Sequence, residues 1–237
     1  DRSFLAARIL LDKINANMII SGAFGLFEKK TVIAVGGYDN STMGEDMELV
    51  VRLHEFSRMN RKPYKIQFAQ DAICWSQTPE KLSELGKQRK RWQRGLFQCM
   101  WGHRKMLANP RYGAVGLLSY LYFLFYELLS PFIELLGVLT MVLSVMMDML
   151  NVKFMLVFFA FYALYGILLT LTAYFSRIYT IDQRLSFREL ILAIIACFFE
   201  TTFLRFYLAF VRVTAFVGYK KNKLNWDKLE RKKMNRI

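Results

Sequence analysis

Hydrophobic and polar positions divide the chain into two halves with different patterns. Residues 1–112 mix apolar and polar side chains, whereas residues 113–218 are dominated by Leu, Phe, Ile, Val and Tyr. In the first half, apolar residues recur at mostly helical spacing over 2–18 and 47–56, and residues 28–35 have the pattern of a short helix. Because that spacing places them on one face of a helix, it predicts three amphipathic helices.

Other segments of the first half have the pattern of β-strands. Residues 64–68 alternate apolar and polar side chains, residues 71–75 form a second short run, and residues 19–27 are apolar but contain Gly22 and Gly25. Glycine in a strand marks either a bulge or a close approach of another group to the backbone, and both interpretations stay open. A further helix is predicted from Pro79 onward. Helices alternating with strands predict part of an α/β domain over residues 1–112.

The second half contains three long apolar tracts, at residues 115–147, 154–175 and 190–217. The second tract has no charged residue and is about as long as the ~20 residues that cross ~30 Å of hydrocarbon. A buried core helix explains any one tract but not all three, because a soluble fold needs more polar surface. We therefore expect an α-helical transmembrane bundle over 113–218, followed by a basic tail at 219–237.

Two acidic residues interrupt the first apolar tract on one predicted helix face. Glu127 and Glu134 lie seven positions apart. Carboxylates inside a membrane are costly unless they meet a partner or water. They form either a structural pair with a cation such as Arg205 or a polar lining of a passage.

The charge balance points to an anionic partner at a membrane. The net charge of +14 lies mainly outside the apolar tracts and favours phosphates or lipid headgroups. Lys and Arg flanking the tracts place residues 1–112 in the cytoplasm by the positive-inside rule, with the side of the tail undecided. Three distant cysteines without CxxC spacing predict neither a disulfide framework nor a metal site.

Two polar motifs flank this organisation. Residues 87–95 carry five cations around Trp92, and residues 44–46 (GED) precede a predicted helix. The basic run suits either a phosphate-bearing ligand, with the indole as a stacking surface, or a solvated juxtamembrane face. Glu45 and Asp46 are suited to catalysis, but carboxylates at a helix start also serve as caps.

The ordered set of motifs resembles a known family of enzymes. Segments 21–25 (SGAFG), 36–39 (GGYD), 44–46 (GED) and 88–92 (QRKRW) precede the apolar tracts. This order is similar to that of the membrane-integrated glycosyltransferases of family 2, which include cellulose, chitin, hyaluronan and poly-N-acetylglucosamine synthases. The resemblance covers essentially the whole chain. It implies the C-terminal part of a GT-A-like nucleotide-sugar transferase domain followed by membrane helices.

The resemblance also implies roles for individual residues. Asp46 matches the general base that takes the proton of the acceptor hydroxyl, and Glu45 matches the acid that orients it. The residues that match donor diphosphate and acceptor binding are Gln88, Arg91, Trp92, Ser21, Gly22, Phe24 and Gly25.

Two departures from the family pattern qualify these roles. The metal-binding Asp-x-Asp of the family lies upstream of its GED-like motif, and this chain has none. A divalent metal, Mg²⁺ or Mn²⁺, is therefore expected to bind with an upstream half, no metal ligand is assigned here, and this chain alone is expected to be inactive. Gln77 stands where many relatives carry an acid, which weakens any role for its loop.

These observations favour an inverting glycosyltransferase that moves a sugar from a UDP-sugar to a growing polysaccharide. It is expected to be a multi-pass protein of the cell membrane with its catalytic part in the cytoplasm. Two alternatives stay open: single-step transfer to a lipid-linked acceptor, and a non-catalytic membrane subunit that binds anionic lipid. Nucleic-acid binding is not expected, because it does not account for the apolar tracts.

Overall fold

The computed structural model describes residues 2–20, 22–62, 64–69, 72, 74, 76–181 and 186–219. Ser21, Asp71, Ile73, Trp75 and the basic tail from residue 220 onward lie outside the described residues. The predicted strand at 71–75 therefore falls largely outside them, and so does the position of Ser21.

The described residues fold into helices joined by loops and short turns. In chain order the helices are α1 (Arg2–Lys13), α2 (Lys29–Ala34), α3 (Glu45–Met59), α4 (Leu82–Gly102), α5 (Val115–Leu128), α6 (Ser130–Met146), α7 (Val152–Ile181), α8 (Phe187–Phe199) and α9 (Arg205–Thr214). Two 3₁₀ turns, Arg104–Met106 and Pro110–Tyr112, connect α4 to α5. A π-helical turn at Glu200–Leu204 joins α8 to α9.

The amphipathic helices predicted in the first half are confirmed as α1, α2 and α3. The buried face of α3 includes Leu49, Val50 and Leu53, which form a core with Ile66. A second core joins Met47 and the inner side of α4 to the start of α5. Helix α3 thus contacts a core on each side, which fixes the position of its first turn.

The predicted α/β class is wrong, because the part of the chain that the structure describes contains no strand. In residues 64–68, hydrogen bonds from the backbone go to side chains near the end of α1. Asn15 accepts from the Ile66 N–H at 2.9 Å and donates to the Tyr64 carbonyl at 2.8 Å. Asp12 accepts from the Phe68 N–H at 2.7 Å. The alternating pattern thus reflects one buried residue, Ile66, in a segment held by side chains.

The strand predicted at residues 19–27 is also wrong. Residues 22–24 turn, and the backbone N–H of Gly22 donates to the Asp46 carboxylate at 3.1 Å. Gly22 is therefore a point of close approach between this loop and α3, and it does not form a bulge in a strand.

The predicted transmembrane bundle is corrected as well. Among the described residues no single helix is long and apolar enough to cross a bilayer, and α5 and α6 pass that test only as a pair bent by 44°. The bend follows from Pro131 in the first turn of α6, since proline has no N–H to continue the hydrogen bonds of α5. Among the helices of the apolar tracts, α6 packs on α9 and α7 packs on α8.

The predicted partner of the acidic residues is confirmed in part. Arg205 contacts the Glu134 carboxylate at 2.7 Å and donates to the Tyr162 hydroxyl at 2.7 Å. Glu127 lies beside a different cation, Arg212, at 3.7 Å. Each carboxylate of the pair therefore has its own arginine, and both arginines lie in α9.

A buried histidine in α3 makes the fold sensitive to acid. The His54 Nε2 lies 2.8 Å from the Asn17 carbonyl, and burial lowers the pKa of His54 from 6.5 to about 4 against the opposing effect of that hydrogen bond. Between these values the unfolded chain binds a proton that the folded protein does not accept. Stability should therefore fall as pH drops from about 6.5 to about 4, by at most about 3 kcal/mol.

Replacing His54 by glutamine, whose amide still donates to the Asn17 carbonyl, should remove this acid sensitivity. We expect the melting temperature of the His54→Gln protein to fall less than that of the wild type between pH 7 and pH 4.5. Comparing the two proteins in one buffer series cancels the contributions of other groups. If the melting temperatures of the two proteins fell equally over that range, the acid sensitivity would not be due to His54.

Candidate functional site

The predicted catalytic carboxylate lies in the first turn of α3. Asp46 is half-buried: its Oδ2 accepts from the Gly22 N–H at 3.1 Å and its Oδ1 accepts from the Met47 N–H at 2.8 Å. Glu45, the preceding residue, is also half-buried. Free N–H groups and the helix dipole favour negative charge at this position. Gly22 lies 24 positions before Asp46 in a separate loop, so its hydrogen bond orients the Asp46 carboxylate as well as stabilising its charge.

The first turn of α3 touches the middle of α4 through two glycines. A β-carbon built on Gly95 would lie 2.8 Å from the Gly44 nitrogen and 2.9 Å from the Gly44 α-carbon. Atoms at those distances overlap, so only glycine allows the two backbones to come this close. Because Gly44 immediately precedes Glu45, this contact places α4 beside the predicted catalytic residues.

The motif residues of α4 lie on the helix face that contains this contact. Gln88, Arg91, Trp92 and Gly95 are spaced by three or four positions, which places them along one side of α4. Trp92 is one turn before Gly95, about 5 Å along the helix axis. The Trp92 side chain is 51% exposed, so its indole is available for a ligand. The structure thus places the GED and QRKRW motifs on adjoining elements.

Arg89 stacks on the tryptophan of the motif. Its guanidinium carbon lies 4.7 Å from the centre of the Trp92 ring, an attractive arrangement of a cation and a π-system. Burial lowers the pKa of Arg89, and its Nε has no hydrogen-bond partner among the described residues. Sequence reasoning counted Arg89 only as one cation of the basic run.

A buried arginine near Asp46 escaped the sequence reasoning. Arg8 of α1 is buried, its guanidinium lies 5.8 Å from the centre of the Phe68 ring, and burial lowers its pKa to about 10 against the opposing charge of Asp46. Its position in the helix could have indicated burial, since Arg8 lies three positions before Leu11 on the apolar face of α1. A cation on an apolar face needs a compensating charge, and the charge of Asp46 acts on Arg8 in this sense.

The glycine-bearing loop contributes unevenly to the site. Gly22 contacts Asp46 directly, whereas a β-carbon on Gly25 would meet the Phe27 ring at 2.9 Å and the Ile20 side chain at 3.1 Å. Phe24 between them is 58% exposed. Gly22 is therefore part of the site, Gly25 permits the packing of the loop on itself, and Phe24 is free to contact a ligand.

Beyond the glycine contact, two groups of side chains hold α4 against α3. The Gln98 amide oxygen accepts from the Met43 N–H at 2.8 Å, just before α3. At the end of α4 the His103 ring bonds to Glu55 at 2.7 Å and lies 3.4 Å from Glu48. Burial acts to lower the pKa of His103, but its bonds to the two glutamates outweigh burial and raise it.

The opposite side of α4 is held by α9 and the end of α5. The buried Gln93 amide donates to the Leu128 carbonyl at 3.0 Å and accepts from the Arg212 Nε at 2.8 Å. The Arg94 Nε donates to the Ala215 carbonyl at 2.7 Å. The motif helix is therefore fixed between α3 and the helices of the second half.

The chemistry of the described residues does not fit a metal centre. No group of three or more His, Cys, Asp and Glu side chains is close enough to hold an ion in that part of the chain. The nearby thiol of Cys99 is buried, and burial raises its pKa, which makes it a poor ligand and a poor nucleophile. The expectation that Mg²⁺ or Mn²⁺ is held by other residues stays a prediction.

Comparison with known proteins gives one family match and several curated relatives. Residues 2–218 match the family model described as "Glycosyl transferase family group 2". A stretch of 90 residues is 37% identical to the poly-beta-1,6-N-acetyl-D-glucosamine synthase of Staphylococcus aureus (strain COL), and 36% identical to that of Staphylococcus epidermidis. Each match covers 38% of this chain and 19% of the relative, so the chain spans about a fifth of the relatives' length. No solved structure matches.

Proposed function

Since this chain belongs to glycosyl transferase family group 2, we propose that it serves an inverting transfer of a sugar from a nucleotide-sugar donor to a growing polysaccharide. Family and relatives support glycosyl transfer as such. One observation carries the finer proposal: Asp46 lies in the first turn of α3, which the Gly44–Gly95 contact holds against the α4 face bearing Arg91 and Trp92. A base, a cation and an aromatic surface are the groups that this reaction needs.

The proposed reaction is a single displacement at the anomeric carbon of the donor. Asp46 accepts the proton of an acceptor hydroxyl, whose oxygen forms a bond to that carbon as the bond to the nucleotide diphosphate breaks. The electron pair of the broken bond leaves with the diphosphate, and Arg91 is placed to compensate the growing negative charge. Trp92 offers its exposed ring to the face of an acceptor sugar.

The remaining motif residues have supporting roles in this proposal. Glu45 and the Gly22 N–H orient the Asp46 carboxylate. Gln88, on the same side of α4 as Trp92, is suited to hydrogen bonds with the diphosphate or the acceptor. Phe24 and the neighbouring Ser21, with Gly25 shaping the loop, are proposed to flank the acceptor end.

The proposed place of action is the surface of a lipid bilayer. Large apolar side chains on α6 and α7 are exposed to the surroundings: Leu136, Leu139, Phe154, Phe158 and Phe161. Exposed apolar surface of this extent indicates contact with lipid or with another protein. Lipid is the proposed partner, because the relatives are named as synthases of a polysaccharide and the chain carries a net charge of +14.

N-acetylglucosamine is the proposed sugar, by analogy with the relatives, with UDP as the nucleotide. We expect membranes that contain the full-length protein and Mg²⁺ or Mn²⁺ to release UDP from UDP-N-acetylglucosamine and to form a product of many sugars. Parallel reactions contain UDP-glucose or UDP-glucuronate in place of UDP-N-acetylglucosamine, to test whether another sugar is transferred. A product carrying one added sugar on a lipid would favour single-step transfer, and no transfer from any donor would contradict the proposal.

A further inference from the structure

One side chain of α4 binds the loop that leads into the catalytic turn of α3. The Oε1 of Gln98 accepts from the Met43 N–H at 2.8 Å and from the Thr42 hydroxyl at 3.2 Å. The Thr42 hydroxyl oxygen in turn accepts from the Gly44 N–H at 3.2 Å. These three bonds form a connected chain from α4 to the residue before Glu45.

Within the loop the Thr42 hydroxyl accepts from the Gly44 N–H, and Gln98 adds the side-chain bonds that tie the loop to α4. Gly44 occupies the N-cap position of α3, and its missing side chain supplies no cap hydrogen bond. Helices usually begin with Ser, Thr, Asp or Asn, whose side chains bond to the free N–H groups of the first turn. Here the side-chain bonds are made just before the helix: Gln98 accepts from the Met43 N–H, and Thr42 accepts from the Gly44 N–H. The position of the loop that enters α3 therefore depends in part on Gln98, a residue more than fifty positions away.

The same contact also sets the distance between the two motifs. Gln98 lies three positions after Gly95, so its amide and the Gly44–Gly95 contact act on adjacent turns of α4. A movement of the Thr42–Gly44 loop would carry Asp46 with it, because Asp46 begins the helix that this loop enters. Both buried residues of the loop, Thr42 and Met43, would lose satisfied polar groups on such a movement.

We propose that Gln98 is a positioning residue for transfer: through Met43 and Thr42 it holds the Asp46 carboxylate at its working distance from the ligand face of α4. This proposal rests on the proposed function. It predicts a specific kinetic effect, because Gln98 contacts the loop that carries the proposed base and has no proposed contact with the donor. Loss of the amide should lower kcat and leave KM for the donor nearly unchanged.

Three variants of the full-length protein test the proposal. Gln98→Leu removes the acceptor and should lower kcat about 10- to 100-fold, with KM for the donor changed less than about twofold. Gln98→Glu keeps an acceptor oxygen for Met43 and Thr42 and should restore most of kcat. Thr42→Val removes the hydroxyl at equal volume and should lower kcat less than Gln98→Leu does. Because both residues act through one chain of bonds, the double variant should be no slower than Gln98→Leu alone.

Controls separate the possible failures. The exposed Gln67→Leu should leave kcat unchanged and measures the effect of a glutamine-to-leucine change as such. A Gln98→Leu protein with wild-type kcat, beside an inactive Asp46→Asn protein, would overturn the positioning role and leave the proposed function intact. A wild-type kcat in Asp46→Asn would instead overturn the role of Asp46 as the base in the proposed function. Should Gln98→Leu fail to assemble, an unchanged kcat in Thr42→Val would overturn the proposal, and a lowered kcat would support it.

Discussion

Replacing Asp46 by asparagine should lower kcat by about 10²- to 10⁴-fold, the usual contribution of a positioned general base. The amide of asparagine cannot take a proton from the acceptor hydroxyl. Its carbonyl oxygen, however, can still accept from the Gly22 N–H, so the loop and the first turn of α3 should keep their places. The measurement is UDP release and polymer formation by membranes containing equal amounts of each protein.

The matched control for this prediction is Asp148→Asn. Asp148 is exposed and follows the end of α6 with a φ of 54°, a left-handed conformation that asparagine adopts readily. This variant removes the same charge with the same change of side chain at a distant part of the fold, and it should keep full activity. Equal activity of the Asp46→Asn and wild-type proteins would show that this carboxylate is not the base.

The placement of the motif residues within each helix could be predicted because helical spacing is local. Gln88, Arg91 and Trp92 recur at three and four positions, and that spacing alone places them on one side of any helix. Glu45 and Asp46 precede an apolar stripe, which is sufficient to predict a helix start. What spacing cannot give is the distance between two helices. The Gly44–Gly95 contact depends on residues about fifty positions apart, and nothing in the sequence indicates that these two glycines meet.

The strand predictions were wrong for a related reason. Alternation at residues 64–68 reports only that every second side chain faces a core, and Ile66 does so. Whether the backbone bonds to a neighbouring strand depends on what lies beside it. Here Asn15 and Asp12 supply the partners, so a segment with strand-like pattern is held by side chains. Short-range patterns therefore identified buried positions better than they identified hydrogen-bond partners.

In the second half, composition predicted apolar helices but not their lengths. Pro131 within the first tract ends the continuous helix, and the resulting bend of 44° separates α5 from α6. The pairing of Glu134 with Arg205 was predictable, because a buried carboxylate requires a cation and few are present in the tracts. The pairing of Glu127 with Arg212 required the packing of α9 on α4, which only the structure shows.

Replacing Gly95 by alanine should disrupt the site from a residue that touches no ligand. The added methyl carbon would lie 2.8 Å and 2.9 Å from the Gly44 nitrogen and α-carbon and 3.1 Å from the Met43 carbonyl carbon. All three are backbone atoms, which cannot rotate away, so α4 and the entrance of α3 must separate. We expect a loss of about 1–3 kcal/mol in stability, as for other overpacked sites, and a fall in kcat of about 10²-fold from the displaced Asp46.

The same helix provides the control that decides whether close packing causes this effect. Gly102, the last residue of α4, has no atom within 4 Å of a built β-carbon, so Gly102→Ala adds the same methyl group to open space. Alanine is the better helix former by up to about 1 kcal/mol, and this variant should be as stable as the wild type or more stable, with unchanged kcat. If the Gly44–Gly95 contact sets the geometry of the site, Gly95→Ala should lower both the melting temperature and the rate of polymer synthesis. Gly102→Ala should lower neither. If Gly95→Ala is as stable and as active as Gly102→Ala, the two motifs do not depend on this contact, and the catalytic arrangement proposed around Asp46 is wrong.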